Sequence, residues 1–205
     1  MSETNAEQAE ADPDFEEREH GELDADDEEL DADAILRRRM AIAQVRQWGD
    51  PVLRLKAHEV TSFDDELRRL TEKMADLMHD ARGIGLAATQ IGILRRIFVF
   101  QTKEDDQPIA VVNPVITAAG GEPEADDEGC LSLQGVLVPV ERPTVVTLEG
   151  KDVSGAPLKL ELDGLGARVV QHELDHLDGV LIIDRTDRES RREALKALRP
   201  KPSLD

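Results

Sequence analysis

One short segment of the chain has residue types and spacing that are typical of hydrolytic chemistry. His172 and His176 stand four residues apart, with Glu173 directly after the first of them. Residues four apart lie on one face of an α-helix, so the two imidazoles can bind one metal ion together. A glutamate at this position can take a proton from a metal-activated water. We therefore interpret the segment as the metal-binding helix of a hydrolase rather than as two surface histidines.

A catalytic metal site of this kind usually has three protein ligands, so a third ligand must come from elsewhere. The extended protease pattern would place another histidine after the helix, but this chain has Ile182 there. We favour Cys130 as the third ligand, because a thiolate is the strongest transition-metal ligand in the chain and Gly129 leaves its backbone unobstructed. The carboxylates that stay open as alternatives are Asp184, Glu189 and Glu193.

Charge is distributed unevenly along the 205 residues, whose formal net charge is −20. Residues 1–34 hold 16 acidic side chains and a single basic one, with almost no aromatic or β-branched residues. Such a segment cannot bury enough apolar surface to offset the entropy lost on ordering it. We therefore predict an acidic disordered tail over residues 1–39, a globular domain over 40–199 and a flexible C-terminus over 200–205.

Composition also argues against several classes of protein. The single cysteine excludes an internal disulfide, which is consistent with a reducing compartment. No apolar run is long enough to span a bilayer, and the acidic N-terminus lacks the apolar core of a secretory signal. Basic residues are scattered and tyrosine is absent, so we expect no nucleic-acid groove. These features favour a cytoplasmic protein without membrane contacts.

The elements that must position the histidines follow a pattern that is typical of an α+β fold. An N-terminal helix is predicted between Ser62 and Arg82, where apolar residues repeat at helical spacing. We place the central helix that carries the histidines at 165–177 and a C-terminal helix at 188–199. The segments between the first two helices are rich in β-forming residues and indicate a mostly antiparallel sheet. The predicted strands are 97–100, 109–112, a short strand that ends at Gly120, 136–140, 144–148 and 158–162.

The segment 83–90, GIGLAATQ, has glycines at alternate positions. Two missing side chains allow a ligand or another backbone to approach closely. The segment lacks the lysine of a phosphate-binding loop and the glycine spacing of a dinucleotide fingerprint. We therefore expect it to line a site that does not bind phosphate.

Three segments together resemble the signature motifs of peptide deformylases, in the order found in that family. They are GIGLAATQ at 83–90, EGCLS at 128–132 and QHELDH at 171–176. The similarity extends from about Ala41 to the segment after Gly179, which is nearly the whole predicted globular part. Gln134 takes a position where the family often has proline, so the shape of the neighbouring rim is left open.

This resemblance implies a metal-dependent hydrolase that removes the formyl group from the N-terminal formylmethionine of new polypeptides. The partners that it implies are these nascent polypeptides at the ribosome. It also implies that Cys130, His172 and His176 bind one divalent ion, often Fe²⁺, for which Zn²⁺, Ni²⁺ or Co²⁺ can substitute. Glu173 would be the general base for the metal-activated water.

Family likeness further assigns the donors that stabilise the developing oxyanion to the side-chain amide of Gln90 and the backbone N–H of Leu131. Glycines near the site would let the substrate backbone pair as an added strand. Asp175 and Asp178 could orient the ligand histidines, or could be solvated charges on the helix face. The residues expected to bind the substrate are Gly83, Ile84, Gly85 and Val169.

Two other functions are compatible with the same segments. A metallo-endopeptidase could use the histidine helix with a carboxylate as third ligand, and would tolerate loss of Cys130. A non-catalytic interaction protein could bind a basic partner through the acidic tail. The second alternative gives no reason for Glu173 and Gln90 to be present, so we favour an enzyme.

Overall fold

The computed structural model describes residues 32–103 and 107–199. These residues contain four α-helices: α1 (Ala32–Ile42), α2 (Asp65–Asp80), α3 (Gly164–Leu177) and α4 (Arg188–Ala197). They also contain seven strands: β1 (Gly85–Ala87), β2 (Ile97–Phe100), β3 (Ile109–Gly120), β4 (Glu124–Glu128), β5 (Val138–Arg142), β6 (Val145–Lys151) and β7 (Pro157–Asp163). Five strands form one sheet in the order β1-β2-β3-β6-β7, and β4 pairs with β5 in a second sheet. All these pairings are antiparallel.

The larger sheet lies between two helices, and strand β2 shows why. All four of its residues are buried, and alternate side chains point to opposite faces of a strand. Phe98 and Phe100 pack with residues of α3, whereas Ile97 and Val99 pack with residues of α2. The strand therefore contributes to two hydrophobic clusters, one on each face of the sheet.

Helix α3 crosses the middle of the molecule because its apolar residues lie on the side that faces the sheet. Val169, Val170 and Leu177 are buried in the cluster that contains the β2 phenylalanines. The helix is followed by Gly179, whose φ of +74° is a conformation that other residues rarely adopt. A Cβ there would lie 2.6 Å from the carbonyl oxygen of Arg54, so the backbones approach closely at this point.

A third hydrophobic cluster lies under the small sheet. It joins Val138 and Val140 of β5 to Ile182, Ile183 and the buried Ala194 of α4. Cys130, which follows β4, also belongs to this cluster. The segment after α3 and helix α4 therefore hold the cysteine-bearing loop against the rest of the fold.

The predicted fold class is confirmed: a mostly antiparallel α+β structure surrounds the histidine helix, with helices on either side of it in the sequence. The central helix begins one residue before its predicted limit, and β2 has its predicted bounds. Helix α2 begins after Asp64, whose side chain accepts a hydrogen bond from the Leu67 backbone, rather than near Ser62. None of the four helices has the length and apolarity needed to cross a membrane.

Strand β3 differs from the prediction, which divided it at Pro114. A register shift between Val112 and Val115 lets the strand continue past the proline, and Asn113 there has a φ of +52°. The Asn113 side chain holds both backbone groups of Val60, so the irregular backbone has fixed partners. Proline is tolerated in a strand at such bulges.

Strands β1 and β4 were not predicted. Strand β1 has only three residues and begins with a glycine, and β4 is composed of EADDE, which has low intrinsic β-propensity. Both strands form because a neighbouring strand provides hydrogen-bonding partners: β1 pairs with β2, and β4 pairs with β5.

Residues 1–31 of the predicted disordered tail lie outside the described residues. Its last part, 32–39, is helical, which corrects that portion of the prediction. Arg38 and Ala41 of this helix are buried, and α1 packs against α2. The predicted flexible C-terminus, 200–205, lies outside the described residues.

Candidate active site

The fold brings the three predicted ligand residues to one point. Helix α3 presents both histidines on one face, and the loop after β4 presents Cys130 from the other side. The Cys130 Sγ lies 3.2 Å from Nε2 of His176, which lies 3.2 Å from Nε2 of His172. The three ligand atoms all lie within 4.8 Å of one another.

These donors fit one transition-metal ion. Metal–ligand bonds of about 2.0–2.3 Å place ligand atoms roughly 3–4 Å apart, and the two separations of 3.2 Å from Nε2 of His176 lie in this range. Three protein ligands also leave a coordination position for water or substrate, as in catalytic sites. The arrangement has the donor number and softness of a catalytic site for a transition metal.

Glu173 lies beside this group with its carboxylate buried. Its Oε2 has no hydrogen-bond partner among the described residues, and the side chain lines the same pocket as Cys130 and His172. Burial raises the pKa of Glu173 to about 7, although the nearby His172 and Arg142 act in the opposite direction. A carboxylate with this pKa can both accept and release a proton near neutral pH.

The carboxylate of Glu173 lies against Gly85, where there is no side chain. A Cβ on Gly85 would lie 2.8 Å from Cδ of Glu173, and a carboxylate oxygen would be closer still. Sequence reasoning attributed the glycine to the approach of a substrate backbone. The structure identifies a second reason: any side chain here would displace the carboxylate.

Gln90 is fixed with its amide nitrogen toward the cysteine. Its Oε1 accepts a hydrogen bond from the Ala87 backbone at 2.8 Å, which orients the amide. Its Nε2 lies 3.3 Å from the hydroxyl of Ser132 and 3.7 Å from Sγ of Cys130. Leu131 lies between Cys130 and Ser132 in the sequence, and its carbonyl accepts a hydrogen bond from the Gln47 side chain at 3.0 Å. The site therefore has a neutral N–H donor that is positioned by its neighbours.

Glu128 makes a contact that sequence reasoning missed. Its Oε2 lies 3.1 Å from Nδ1 of His172, while Arg142 and Arg168 donate to the same carboxylate. Burial favours a higher pKa for Glu128, but the hydrogen bonds from Arg142 and His172 outweigh it and hold the pKa well below its ordinary value. Glu128 is therefore an ionised acceptor for the Nδ1–H of His172.

The two histidines have opposite electrostatic surroundings. Burial favours a lower pKa for His172, but its contacts with Cys130 and Glu128 outweigh burial and raise the pKa. Burial and the neighbouring His172 both lower the pKa of His176. The neutral form that metal binding requires is therefore favoured at His176 by the protein itself.

A pocket of about 70 Å³ opens beside these groups. All the predicted site residues line it except His176, which is buried beneath. Val169 is buried and belongs both to the pocket wall and to the cluster that packs on the sheet, so its two predicted roles coexist. The lining residues that were not predicted are Arg82, Glu128, Gly129 and Arg168.

The alternative carboxylate ligands lie elsewhere. Asp184 pairs with Arg54 and accepts the Leu181 backbone N–H, and no carboxylate belongs to the ligand group found in the described part of the chain. Asp175 is bonded to Arg142 and Arg185 rather than to a histidine.

Two histidines and a glutamate on a helix packed against an antiparallel sheet, with a cysteine from a neighbouring loop beside them, are the arrangement of a mononuclear metallohydrolase. A profile of the polypeptide deformylase family matches residues 42–192. The chain belongs to this family.

Individual relatives agree with this assignment. A peptide deformylase of Parafrankia sp. (strain EAN1pec) is 44% identical over 172 residues, which cover 80% of this chain and 93% of the relative. One of Thermotoga neapolitana is 48% identical over 142 residues, or 69% of this chain and 85% of the relative.

Solved structures are similar as well. The crystal structure of a peptide deformylase from Synechococcus elongatus in complex with actinonin superimposes with a TM-score of 0.72 at 44% identity, covering 75% of this chain and 85% of the other. The crystal structure of the peptide deformylase from Thermus thermophilus gives a TM-score of 0.71 at 43% identity, covering 75% of this chain and 91% of the other.

Proposed function

We propose that the chain removes the formyl group from the N-terminal methionine of newly made polypeptides, with one divalent metal ion held by Cys130, His172 and His176. Membership of the polypeptide deformylase family makes the chain a hydrolase of protein biosynthesis. The observation that carries the proposed site is the convergence of three ligand atoms beside the buried carboxylate of Glu173.

A divalent ion bound there would supply Lewis acidity, polarising the formyl carbonyl and lowering the pKa of water. Glu173 takes the proton from the attacking water through its carboxylate. It then delivers that proton to the departing amine, so that formate and a free α-amino group are released. The raised pKa of Glu173, about 7, suits both steps near neutral pH.

Gln90 and Leu131 supply the donors for the oxyanion that develops on the formyl oxygen. The amide of Gln90 is held by the Ala87 backbone before substrate arrives, so little reorganisation is needed during the reaction. The backbone N–H of Leu131 is the second proposed donor, on the loop that carries Cys130. Both donors are neutral, so their hydrogen bonds strengthen as negative charge develops on the formyl oxygen.

The substrate backbone lies along the segment that precedes β1 and at the start of that strand. Strand β1 is at the edge of the sheet, so its outer side can pair with an extended peptide. Gly83 and Gly85 keep this approach free of side chains, and Ile84 and Val169 form apolar walls for the methionine side chain.

The proposed ion is Fe²⁺, with Zn²⁺, Ni²⁺ or Co²⁺ able to replace it, and the thiolate of Cys130 supports a transition metal over Mg²⁺ or Ca²⁺. The proposed substrates are nascent formylmethionyl polypeptides at the ribosome. A cytoplasmic location is proposed with them, supported by relatives from bacteria.

A test separates this function from that of an endopeptidase. The protein is assayed anaerobically with defined metal on a formylmethionyl peptide and on an unblocked peptide of the same sequence. We expect formate release from the first and no internal cleavage of either, and loss of both stoichiometric metal and activity in Cys130→Ala. Internal cleavage that survives in Cys130→Ala would overturn the proposal.

A further inference from the structure

A single buried arginine joins two carboxylates from different elements. Arg142, at the end of β5, is 4% exposed. It donates to Glu128 through Nε at 2.6 Å and Nη2 at 2.9 Å, and to Asp175 through Nη1 at 3.0 Å. Each of its three guanidinium nitrogens therefore has an acidic partner. Arg168 and Arg185 close the network from outside, the first on Glu128 and the second on Asp175.

Both carboxylates are connected to α3, the helix that carries His172 and His176. Glu128 reaches the ring of His172, with its Oε2 at 3.1 Å from Nδ1. Asp175 belongs to α3 itself, between His172 and His176. A guanidinium that binds a carboxylate through two nitrogens fixes the plane of that carboxylate as well as its position. The direction of the Nδ1–H bond, and hence of the opposite ring nitrogen, depends on that plane.

We propose that Arg142 is a positioning residue for the metal site. By fixing Glu128 it keeps the His172 Nε2 directed at the Cys130 and His176 donors. The inference rests on the proposed function, because it concerns the same three ligands. The quantity that Arg142 sets is the rate at which the bound metal leaves.

A purely structural role for Arg142 makes a different prediction. Removing one partner of a buried ion pair destabilises a protein because the other charge is left uncompensated, whereas replacing both by apolar residues is often neutral. If the pair of Arg142 and Glu128 only stabilised the fold, replacing both would restore stability and metal retention alike. If it positions His172 through Glu128, the double variant regains stability while His172 still lacks its acceptor.

The experiment compares Arg142→Met, Glu128→Met and the double variant, each loaded with Zn²⁺. Transfer of zinc to an excess of a chromophoric chelator gives the dissociation rate, and urea denaturation gives the unfolding midpoint. We expect dissociation to be about 10–100-fold faster in all three, because outer partners of ligating histidines have effects of this size on metal affinity. The midpoint should fall in Arg142→Met and recover most of the way in the double variant.

The arginine change should add nothing to the dissociation rate once Glu128 is methionine. Dissociation that recovers together with the midpoint, or that is unchanged in Arg142→Met, would overturn the inference. If Arg142→Met does not fold, the comparison of Glu128→Met with the double variant still decides it: a further acceleration on changing the arginine contradicts an action through Glu128.

A matched control is Arg96→Met. Arg96 also donates to a carboxylate that follows α3, that of Asp178, at 2.7 Å, but in the described part of the chain neither side chain has a hydrogen bond or ion pair with His172 or His176. Its zinc dissociation should equal that of the wild type. A wild type that binds no zinc, or a Cys130→Ala variant that binds it fully, would instead overturn the proposed function. If the wild type binds zinc and Arg142→Met releases it at the wild-type rate, only the inference about Arg142 is overturned, and the proposed function is not.

Discussion

The carboxylate of Glu173 occupies the space that a side chain on Gly85 would need. A Cβ on the glycine would lie 2.8 Å from Cδ of the glutamate, and no shift of the short strand β1 is available without disturbing its pairing with β2. The proposed general base and the strand at the proposed substrate edge are therefore in direct contact. The glycine and the glutamate must be considered together in any account of the site.

Gly85→Ala is expected to lower kcat by about 100-fold, since a misplacement of roughly 1 Å in a catalytic group has effects of this size. The proposed metal ligands are not in contact with the new side chain, so metal content should be unchanged. The kcat and the metal content are both measured on purified protein. Gly83→Ala is the matched control. A Cβ on Gly83 would lie 2.9 Å from the flexible end of the Leu131 side chain and 3.4 Å from the Gly85 carbonyl oxygen, which is an ordinary contact, so the effect on kcat should be several-fold smaller. Equal effects at the two glycines would contradict the assignment.

Gln90→Glu is expected to reduce kcat by about 10²–10³ with little change in KM, because a donor that acts on the transition state is lost. The replacement keeps the oxygen that accepts the Ala87 N–H, so the loop should keep its shape. Steady-state kinetics on a formylmethionyl peptide measure both constants. Gln44→Glu, at a surface amide bonded to the Met40 carbonyl, should have no effect. A change in KM alone would indicate ground-state binding instead.

The pair formed by Arg54 and Asp184 should make stability depend on pH. Partial burial favours a higher pKa for Asp184, but the hydrogen bonds from Arg54 and the Leu181 backbone, together with the charges of Arg54 and Arg191, outweigh burial and lower the pKa below its ordinary 3.8. A lowered pKa in the folded state contributes stability above the unfolded-state pKa, and that stability is lost as pH falls through the folded-state pKa. Asp184→Asn should therefore cost about 1 kcal/mol of unfolding free energy at pH 6.

The cost of Asp184→Asn should shrink steadily below about pH 4, where the wild-type carboxyl also becomes neutral. Urea denaturation of both proteins at several pH values measures it. In an Arg54→Met background the asparagine substitution should cost less at pH 6, because the cation that favours the charged form is absent. A cost that is the same at pH 3 and pH 6 would show that the pair contributes nothing electrostatic.

The sequence predicts the parts of the site that depend on local spacing. His172 and His176 are ligand candidates because an α-helix places residues four apart on one face, and helix α3 has that form. Cys130 could be singled out by chemistry and by the resemblance, but its distance from the histidines is set by the packing of β4, β5 and α4. No local pattern contains that information.

Arg142 and the role of Glu128 could not be predicted in the same way. In the sequence, Glu128 was only the first residue of the EGCLS segment, and Arg142 lay between two predicted strands. Their pairing, and the contact of Glu128 with His172, connect three separate elements. Strands β1 and β4 were missed for a related reason, since pairing with a neighbour overrides the weak β-propensity of their residues.

The central claim is that Glu173 moves the proton in a hydrolysis that takes place beside the Cys-His-His group. The most direct measurement is formate release by Glu173→Gln, compared with the wild type at matched metal content under anaerobic conditions. The substitution keeps the size of the side chain and removes the base, so the rate should fall by about 10²–10⁴ while the metal stays bound. Turnover at the wild-type rate by a metal-loaded Glu173→Gln would contradict the account.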